Sequence, residues 1–314
     1  MRGARPGPPV DTAGARQVGG VTPIKRQEII SAYVFTAPWL IGFLVFLAGP
    51  MLGAFVLALY EWNGIGAMKW RGLGNFSRAF SDFDFWQSLR VTSSFVFTAL
   101  PARVVVALAL ALLVNRIRTN QNLFSTVIFI PVVIPGVALA ILFARVLNPE
   151  VGLLNRFLEL FGIVGPGWLF SPAWALPGLG LMFLWQSGGA MILYIIGLEA
   201  IPGELVEAAA IDGAGAWRRF LRITLPLLTP IILFNLIVGV IGNFQYFAPV
   251  FVMTQGGPNK ATLFFVFNVY RTAFQYFEFG YASALTVVLF FLIALMTFGL
   301  LRSSRAWVFY RGAA

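Results

Sequence analysis

The sequence predicts an all-α integral membrane protein with six transmembrane helices and a polar helix-turn-helix insert between the fourth and the fifth. Of the 314 residues, 59% are hydrophobic and only 11% are charged, which is far from the composition of soluble domains. A transmembrane helix needs about 20 predominantly apolar residues. Six segments meet this length: residues 32–60, 89–114, 123–147, 174–198, 227–253 and 281–301.

The two ends of the chain differ from this apolar middle. Residues 1–30 are rich in proline, glycine and arginine and show no apolar period, so we predict a disordered cytoplasmic tail there. Residues 31–302 form the predicted transmembrane domain, and residues 303–314 form a short cytoplasmic C-terminal tail. No small-residue cleavage site follows a short apolar region, so the first span is predicted to be an uncleaved anchor.

Two of the predicted spans contain residues that disturb helices. Pro50 and Gly53 lie in the first span, and Pro131, Pro135 and Gly136 lie in the third. Proline lacks a main-chain N–H and its ring clashes with the preceding turn, so these positions predict kinks. Membrane helices tolerate such kinks because neighbouring groups satisfy the freed main chain.

The basic residues set the predicted orientation. With the N-terminus inside, thirteen Lys and Arg residues fall in cytoplasmic segments and six fall on the opposite side. This positive-inside bias places both termini and the polar insert in the cytoplasm. The net charge of +10 then reflects topology. Nucleic-acid binding would gather basic residues on one soluble face, so no nucleic-acid partner is predicted.

The polar insert, residues 200–226, divides into two helical halves. Pro202 opens the first half, where Glu204 and Glu207 favour the positive end of the helix dipole. This helix is predicted to stop at Gly213, since glycine accepts a positive φ at little cost. In the second half, apolar residues recur at helical spacing opposite three arginines. The apolar face is Trp217, Phe220, Leu221 and Thr224, the arginines are Arg218, Arg219 and Arg222, and Pro226 begins the next predicted span.

Periodicity alone leaves two roles open for this insert. As a connector, it would lie on the membrane surface with its arginines at the lipid headgroups. As a docking element, its alanine-rich surface would enter the groove of a partner protein. Both roles keep the insert outside the lipid.

One motif within the insert resembles a known family. Glu-Ala-Ala is followed by glycine four residues after the second alanine and then, after nine intervening residues, by Ile-x-Leu-Pro. The motif is formed by Glu207, Ala208, Ala209, Gly213, Ile223, Leu225 and Pro226, with Asp212 included in the predicted site. It resembles the coupling loop of bacterial ABC importer permeases. The resemblance implies a type I ABC importer permease fold, whose loop docks into a cleft of a cytoplasmic ATPase.

A second resemblance covers the region between the fifth and the sixth span. It is carried by residues 243–262 and by Tyr270, Phe274, Gly280, Tyr281 and Ala282. This region resembles carbohydrate-uptake permeases of the maltose and glycerol-phosphate type, whose Thr-x-Gly-Gly-Pro element corresponds to residues 254–258 in an external loop. Gln255 departs from that pattern, because glycine is commoner there, and we expect a loop to tolerate the change.

The resemblance implies an ATP-driven, binding-protein-dependent importer of a sugar or oligosaccharide in the bacterial plasma (inner) membrane. This chain would form half of the translocation pathway, and a second homologous permease would form the other half. A cytoplasmic ABC ATPase dimer would bind ATP and Mg, and an extracytoplasmic solute-binding protein would deliver the sugar. No cofactor is expected in this chain. The alternatives are an ion-coupled secondary transporter and a structural membrane subunit.

The sequence lacks the residues of most enzyme chemistry. Histidine and cysteine are both absent, which excludes the usual zinc sites and catalytic pairs that use either residue. A P-loop needs a lysine followed by serine or threonine, yet Lys25, Lys69 and Lys260 precede arginine, tryptophan and alanine. We therefore predict no enzymatic activity, and ATP hydrolysis would belong to another polypeptide.

The acidic residues argue against an ion-coupled carrier. Such carriers usually place a carboxylate near the bilayer midplane. All twelve acidic residues of this chain fall in predicted loops, tails or span ends. Main-chain carbonyls could still bind sodium, so this alternative stays open.

Polar residues inside the predicted spans are candidates for the substrate pathway. Sugars need hydroxyl partners and an aromatic face, and polar side chains at membrane depth tend to face a cavity or a neighbouring helix. The candidates are Trp185 and Gln186 in the fourth span, Asn235, Asn243, Gln245 and Tyr246 in the fifth, and Arg103 in the second. Interhelical hydrogen bonding is the alternative role for each.

Arg103 is unusual because it carries a charge deep within a span. It lies about eleven residues, or ~16 Å, from the predicted cytoplasmic end. A charge is costly there unless it faces water, carbonyls or a partner helix. We hypothesise that Arg103 lines a wet interior or binds an anionic group, such as that of an acidic sugar. A structural contact with main-chain carbonyls or with the second permease is the alternative.

Overall fold

A computed structural model describes residues 23–117 and 119–309. The chain divides into two compact units, residues 1–53 and 54–314. Most of the predicted N-terminal tail and the end of the predicted C-terminal tail lie outside the described residues. Within the described part, helical structure begins at Pro23 and ends at Trp307, so it extends beyond both ends of the predicted transmembrane domain.

The first unit contains helix α1 (Pro23–Phe43), a π-helical segment (Leu44–Ala48) and the start of α2 (Gly49–Leu57). The main-chain N–H of Gly49 donates to the oxygen of Leu44, five residues earlier. This wider turn comes directly before Pro50, whose ring would clash with a regular preceding turn. The disturbance predicted at Pro50 therefore takes the form of a local π turn.

The second unit is helical apart from one antiparallel ribbon, in which β1 (Tyr60–Glu61) pairs with β2 (Lys69–Trp70). A second π segment precedes α12. In chain order the helical elements are α3 (Gly74–Ser81), α4 (Phe83–Arg116), α5 (Gln121–Val133), α6 (Gly136–Val146), α7 (Leu153–Glu159), α8 (Pro172–Trp185), α9 (Gly188–Glu199), α10 (Gly203–Ile211), α11 (Ala216–Arg219), the π segment (Phe220–Thr224), α12 (Leu225–Phe244), α13 (Ala248–Met253), α14 (Phe265–Phe274) and α15 (Phe279–Trp307).

Helix length and apolar composition give four membrane spans among the described residues, or six if each of two bent helix pairs counts as one span. Four helices are long enough alone: Arg26–Leu57, Phe83–Arg116, Ala216–Phe244 and Phe279–Trp307. Helices α5 and α6, with a bend of 97° between them, together make the third span, and α8 and α9, with a bend of 47°, make the fourth. With each bent pair counted as one span, the predicted six transmembrane helices are confirmed.

The sharpest bend lies at Pro135. Helix α5 ends at Val133, and Ile134 is extended, with φ −70° and ψ 127°. The residue before a proline is pushed towards the extended region, and the proline itself removes a main-chain hydrogen bond. The kink predicted in the third span is confirmed at this position, whereas Pro131 lies within the continuous α5.

The fifth span begins earlier than predicted. Its helix starts at Ala216 and runs through the second π segment to Phe244. The main-chain N–H of Leu225 donates to the oxygen of Phe220, and this wider turn lets Pro226 lie inside the helix. The prediction that a new helix begins at Pro226 is therefore wrong. The second half of the polar insert is instead continuous with the helix of the fifth span.

The fifth span also ends earlier than predicted. Helix α12 stops at Phe244, and the last predicted residues form the separate short helix α13. Pro249 is the second residue of α13. In a continuous helix its ring would clash with the carbonyl of Gln245, four residues earlier, so the chain breaks between the two helices.

Helix α4 is central to the second unit and packs against α8, α9, α12 and α14. Lipid tails are as apolar as leucine, so helices in a membrane associate mainly through close packing and small residues. Ala107 and Ala111, one turn apart on α4, are fully buried near Tyr194 of α9. These small side chains let the two helices approach closely.

Candidate functional site

The first half of the polar insert ends in a turn that depends on glycine. Helix α10 stops at Ile211, and Gly213 has φ +77°. The N–H of Gly213 donates to the oxygen of Ala210 (3.1 Å), and the N–H of Ala214 donates to that of Ala209 (2.9 Å). These two bonds form a Schellman motif, which requires a left-handed residue at the glycine position. The predicted helix end at Gly213 is confirmed.

The predicted coupling residues fall into two groups. Glu207, Ala208, Asp212 and Gly213 are exposed, whereas Ala209, Ile223, Leu225 and Pro226 are half-buried. The exposed group belongs to α10 and its turn. Most of the half-buried group belongs to the start of the fifth span, so the two parts of the motif have different surroundings.

Two large apolar side chains beside the exposed group also lie in the open. Ile211 is 87% exposed and Trp217 is 71% exposed. The Trp217 ring stacks on Phe220, with 5.5 Å between the ring centroids. The sequence pattern assigned Trp217 to a helix face, but it did not single out Ile211. Trp217 and Phe220 thus form a partly exposed apolar patch, which is typical of a surface that a partner covers.

A second site lies among the helices, in a cavity of about 280 Å³ that we call the central cavity. Its walls come from α4, α12 and the bend between α8 and α9. The lining residues are Leu100, Arg103, Val104, Phe183, Gln186, Ala190, Asn235, Val238, Gly239, Gly242, Asn243 and Tyr246. The structure thus brings together five of the seven predicted pathway residues: Arg103, Gln186, Asn235, Asn243 and Tyr246.

Arg103 makes two contacts across the central cavity. Its Nη2 donates to the main-chain oxygen of Gln186 at 3.1 Å. Its guanidinium carbon lies 4.7 Å from the centre of the Phe183 ring, within the range of a cation–π interaction. The Nε atom is buried and has no hydrogen-bond partner among the described residues. Arg103 therefore combines a carbonyl contact with a free donor beside the cavity.

The asparagines of the fifth span bond within their own helix. Asn235 Nδ2 donates to the oxygen of Ile231 at 3.0 Å, and Asn243 Nδ2 donates to that of Gly239 at 2.7 Å. The buried Oδ1 of Asn243 and the buried hydroxyl of Tyr246 have no partner in the described part of the chain. These bonds do not join two helices, so the cavity lining keeps unused hydrogen-bonding capacity.

Two predicted pathway residues lie elsewhere. Trp185 is 59% exposed and packs edge-on against Phe143, with 6.2 Å between the ring centroids. Gln245 lines a separate, largely apolar groove between α12, α14 and α15. Because α8 bends and α12 ends at these positions, neither side chain faces the central cavity.

Seven of the twelve lining residues were not predicted from the sequence, and three of them are informative: Phe183, Gly239 and Gly242. Phe183 looked like an ordinary apolar residue of the fourth span. Gly239 and Gly242 lie on the same helix face as the asparagines, since residues four apart share one face. A side chain on Gly239 would place its Cβ 2.3 Å from Leu100. The i, i+4, i+8 series of Asn235, Gly239 and Asn243 was the available signal.

The end of the helices away from the polar insert is joined by ion pairs, and we call it the ion-paired end. Arg78 donates to both carboxylate oxygens of Glu278, at 3.0 and 2.8 Å. Burial alone lowers the pKa of Arg78, but its hydrogen bonds and attraction to Glu278 raise that pKa above its ordinary value. Asp84 accepts from Arg271 at 2.6 Å and also from Lys260. Sequence spacing gave no sign of these long-range pairs.

The Thr-x-Gly-Gly-Pro element also lies at the ion-paired end. Gln255 has φ +48°, a conformation that glycine adopts without the steric cost paid by other residues. This backbone geometry explains why glycine would suit the position. The Thr262 hydroxyl lies 2.8 Å from the hydroxyl of Thr254 and 2.6 Å from the oxygen of Gly257, so the element is held by local hydrogen bonds.

No group of three or more His, Cys, Asp or Glu residues that could hold a metal ion occurs among residues 23–117 and 119–309. The site is therefore built from main-chain groups, amides, aromatic rings and one arginine.

Residues 103–307 match a protein family described as "Binding-protein-dependent transport system inner membrane component". This chain belongs to that family. The matched region begins at Arg103 and includes the central cavity, the polar insert and the last two spans. Family membership makes the chain an integral membrane permease.

Several relatives are named as permeases. The chain is 37% identical to the probable ABC transporter permease protein YesP of Bacillus subtilis, over 91% of this chain and 94% of YesP. It is 35% identical to the lactose transport system permease protein LacF of Rhizobium radiobacter, over 88% and 94% of the two chains. It is 32% identical to the trehalose/maltose transport system permease protein MalF of Thermococcus litoralis, over 90% and 96%.

A solved bacterial ABC transporter involved in the import of the acidic polysaccharide alginate has the same fold. The superposition gives a TM-score of 0.79 at 24% sequence identity and covers 90% of this chain and 97% of that chain. The predicted type I ABC importer permease fold is thereby confirmed. The family and its named relatives also confirm that this chain is a permease subunit and not the ATP-hydrolysing subunit.

Proposed function

We propose that this permease forms one half of the translocation pathway of an ATP-driven, binding-protein-dependent importer of a sugar or oligosaccharide. A second, homologous permease supplies the other half, and a solute-binding protein delivers the sugar. The complex lies in the bacterial plasma membrane, with both termini of this chain and the polar insert in the cytoplasm. The lactose and trehalose/maltose permeases among its relatives support a carbohydrate substrate.

The proposal depends on one observation: a continuous helix joins the two candidate sites. The helix from Ala216 to Phe244 carries Trp217 beside the coupling motif and Asn235 in the central cavity. At 1.5 Å per residue, about 27 Å of helix separates these two side chains. A displacement of the second half of the polar insert would therefore be transmitted along this helix to the cavity lining.

The polar insert is the proposed contact with a cytoplasmic ABC ATPase dimer, which binds ATP and Mg. Glu207, Ala208, Asp212 and Ile211 offer an exposed surface on α10 and its turn. In the proposed cycle, closure of the ATPase dimer draws the two coupling segments together and opens the pathway outward. Hydrolysis and product release reverse the change. Coupling of this kind requires contacts that differ in free energy between the two states.

The central cavity is the proposed sugar contact of this subunit. Phe183 and Tyr246 supply aromatic faces, while Asn235, Asn243 and Gln186 supply amides. An ion-coupled carrier would need a ligand for its coupling ion, yet none of the described residues that line this cavity is acidic. The cavity therefore favours a sugar over an ion-coupling role.

Affinity purification of the intact complex in mild detergent tests this function. Mass spectrometry should identify a second permease and a P-loop ATPase, and sugar-loaded binding protein should stimulate ATP hydrolysis. We expect Glu207→Lys to abolish the stimulation without preventing membrane insertion. Glu204→Lys, an equally exposed change in the same helix but outside the motif, is the control and should retain it. A chain that purifies alone and moves sugar under an ion gradient would refute the proposal.

A further inference from the structure

The central cavity contains a cation without an acidic partner. All four ion pairs among the described residues involve loops or helix ends at the ion-paired end: Arg71–Glu61, Arg78–Glu278, Lys260–Asp84 and Arg271–Asp84. None of the described residues that line the central cavity is acidic. Arg103 therefore brings an uncompensated positive charge to a site within the predicted membrane depth.

The contacts of Arg103 satisfy only part of its guanidinium group. The Gln186 oxygen accepts from Nη2, and the Phe183 ring faces the cationic carbon. The N–H of Nε has no partner among residues 23–117 and 119–309. A charge in the membrane is retained where it faces a pathway, a counter-ion or water.

The neighbouring groups complement one kind of ligand. The hydroxyl of Tyr246 and Oδ1 of Asn243 are buried and have no partner among the described residues, so after a small side-chain movement the first could donate to a ligand beside Arg103 and the second could accept from it. A carboxylate accepts from a guanidinium and a hydroxyl, while a sugar hydroxyl donates to an amide oxygen. The cavity of about 280 Å³ is close to the lower end of ligand-pocket volumes, about 300 Å³, which suits a small ligand such as one sugar unit.

We propose that the central cavity binds a sugar unit that carries a carboxylate, and that Arg103 is the residue that selects it. This inference rests on the proposed function and adds the class of substrate to it. Arg103 pairs with the uronate carboxylate, Asn243 accepts from a ring hydroxyl, and the rings of Phe183 and Tyr246 cover the sugar face. Neutral sugars of the same stereochemistry leave the arginine without its anion and bind more weakly.

The test measures binding to the intact purified complex, without the solute-binding protein, by saturation-transfer NMR titration. Three matched pairs are compared: glucuronate with glucose, galacturonate with galactose, and mannuronate with mannose. We expect at least one uronate to bind about tenfold or more tightly than its neutral partner, equivalent to ~1.4 kcal/mol. Equal binding within every pair, or no uronate binding at all, would overturn the proposal.

Variants of the arginine assign the preference to this site. Arg103→Gln should remove the uronate preference, so that uronate and neutral sugar bind equally, whereas Arg103→Lys should keep part of the preference because the charge remains. The control is Arg90→Gln, which changes an exposed arginine of the same helix α4. This variant should keep the whole uronate preference. If the complex does not assemble with Arg103→Gln, the test depends on Arg103→Lys. An unchanged uronate preference in the lysine variant refutes the role of the forked guanidinium group.

Failure of the substrate inference can be distinguished from failure of the proposed function. A complex with ATP-driven sugar uptake but no uronate preference overturns only the substrate inference. A chain with no ATPase partner and no ATP-driven uptake overturns the proposed function itself. The second permease could instead supply a carboxylate to Arg103. In that case Arg103→Gln should prevent assembly of the complex, and the wild-type complex should bind uronates and neutral sugars equally.

Discussion

The two ends of this permease differ in whether their side chains find partners within the chain. At the ion-paired end, Asp84 bonds to Arg271 and Lys260, and Arg78 bonds to Glu278, all within one chain. At the end that carries the polar insert, which we call the coupling end, Ile211 and Glu207 are exposed. The ion pairs of the first end form within one chain, whereas the second end is the one that we propose for contact with the ATPase. Changes at the first end should therefore reduce stability, and changes at the second should reduce association.

The largest loss of stability is expected from Asp84→Asn. This change leaves Arg271 and Lys260 without an anion, and we expect a loss of about 2–3 kcal/mol, between the values for exposed and buried pairs. Thermal unfolding of the purified subunit measures it. Glu61→Gln is the control, because its pair with Arg71 is long, at 3.6 Å, and exposed, and its loss should stay below ~1 kcal/mol. Equal effects of the two changes would show that the ion-paired end is not held by Asp84.

A smaller loss of stability with a large loss of coupling is expected from Gly213→Thr. A β-branched residue at φ +77° costs about 1–2 kcal/mol, and the altered turn should abolish binding-protein-stimulated ATP hydrolysis. Gly215→Thr is the matched control. Gly215 has φ −63° and is the N-cap of α11, a position where threonine and glycine are nearly equivalent. Normal coupling in Gly213→Thr would contradict the role of the Schellman turn.

A modest gain in stability is expected from Gln255→Gly at the ion-paired end. Relief of the left-handed conformation should raise the free energy of unfolding by up to about 1 kcal/mol, after the greater flexibility of glycine in the unfolded chain is subtracted. Gln275→Gly serves as the control, because Gln275 has φ −103° and glycine there should lower stability. Thermal unfolding compares the two variants, and a loss in both would argue against backbone strain at Gln255.

The smallest effect on stability is expected from Ile211→Ser. This side chain is 87% exposed, so its removal should change the free energy of unfolding by less than ~0.5 kcal/mol. Retention of the ATPase subunits during purification should nevertheless fall, since the apolar surface of the coupling end is reduced. Ile65→Ser, at an 83% exposed position outside the coupling end, is the control. Loss of the ATPase from both variants would indicate a general defect in assembly.

The sequence predicted those parts of the fold that depend on local properties. Apolar length identified the six spans, because a bilayer requires about 20 apolar residues for each crossing. Gly213 marked the end of α10, since few other residues adopt its conformation. The polar residues of the cavity could be identified as well, because Arg103, Asn235 and Asn243 lie in otherwise apolar segments.

The features that were missed depend on tertiary structure or on alternative hydrogen bonding. The start of the fifth span was placed too late, because a π turn accommodates Pro226 where a regular helix would not. The pairs of Asp84 join residues that lie 176 and 187 positions apart, so no local pattern reveals them. Trp185 and Gln245 were assigned to the pathway on polarity alone, but a bend and a helix end direct them elsewhere.

The ion-paired end has a mechanical consequence for transport. Its bonds connect α3, the start of α4, α14 with the loop before it, and the start of α15, so these elements resist separation. Opening that required them to part would break several charge-assisted bonds in each cycle. We therefore expect these elements of the second unit to move as one block, with the gate formed along the boundary with the proposed second permease. A crosslink between α3 and α15 would then leave transport intact, whereas a crosslink between the two permeases would stop it.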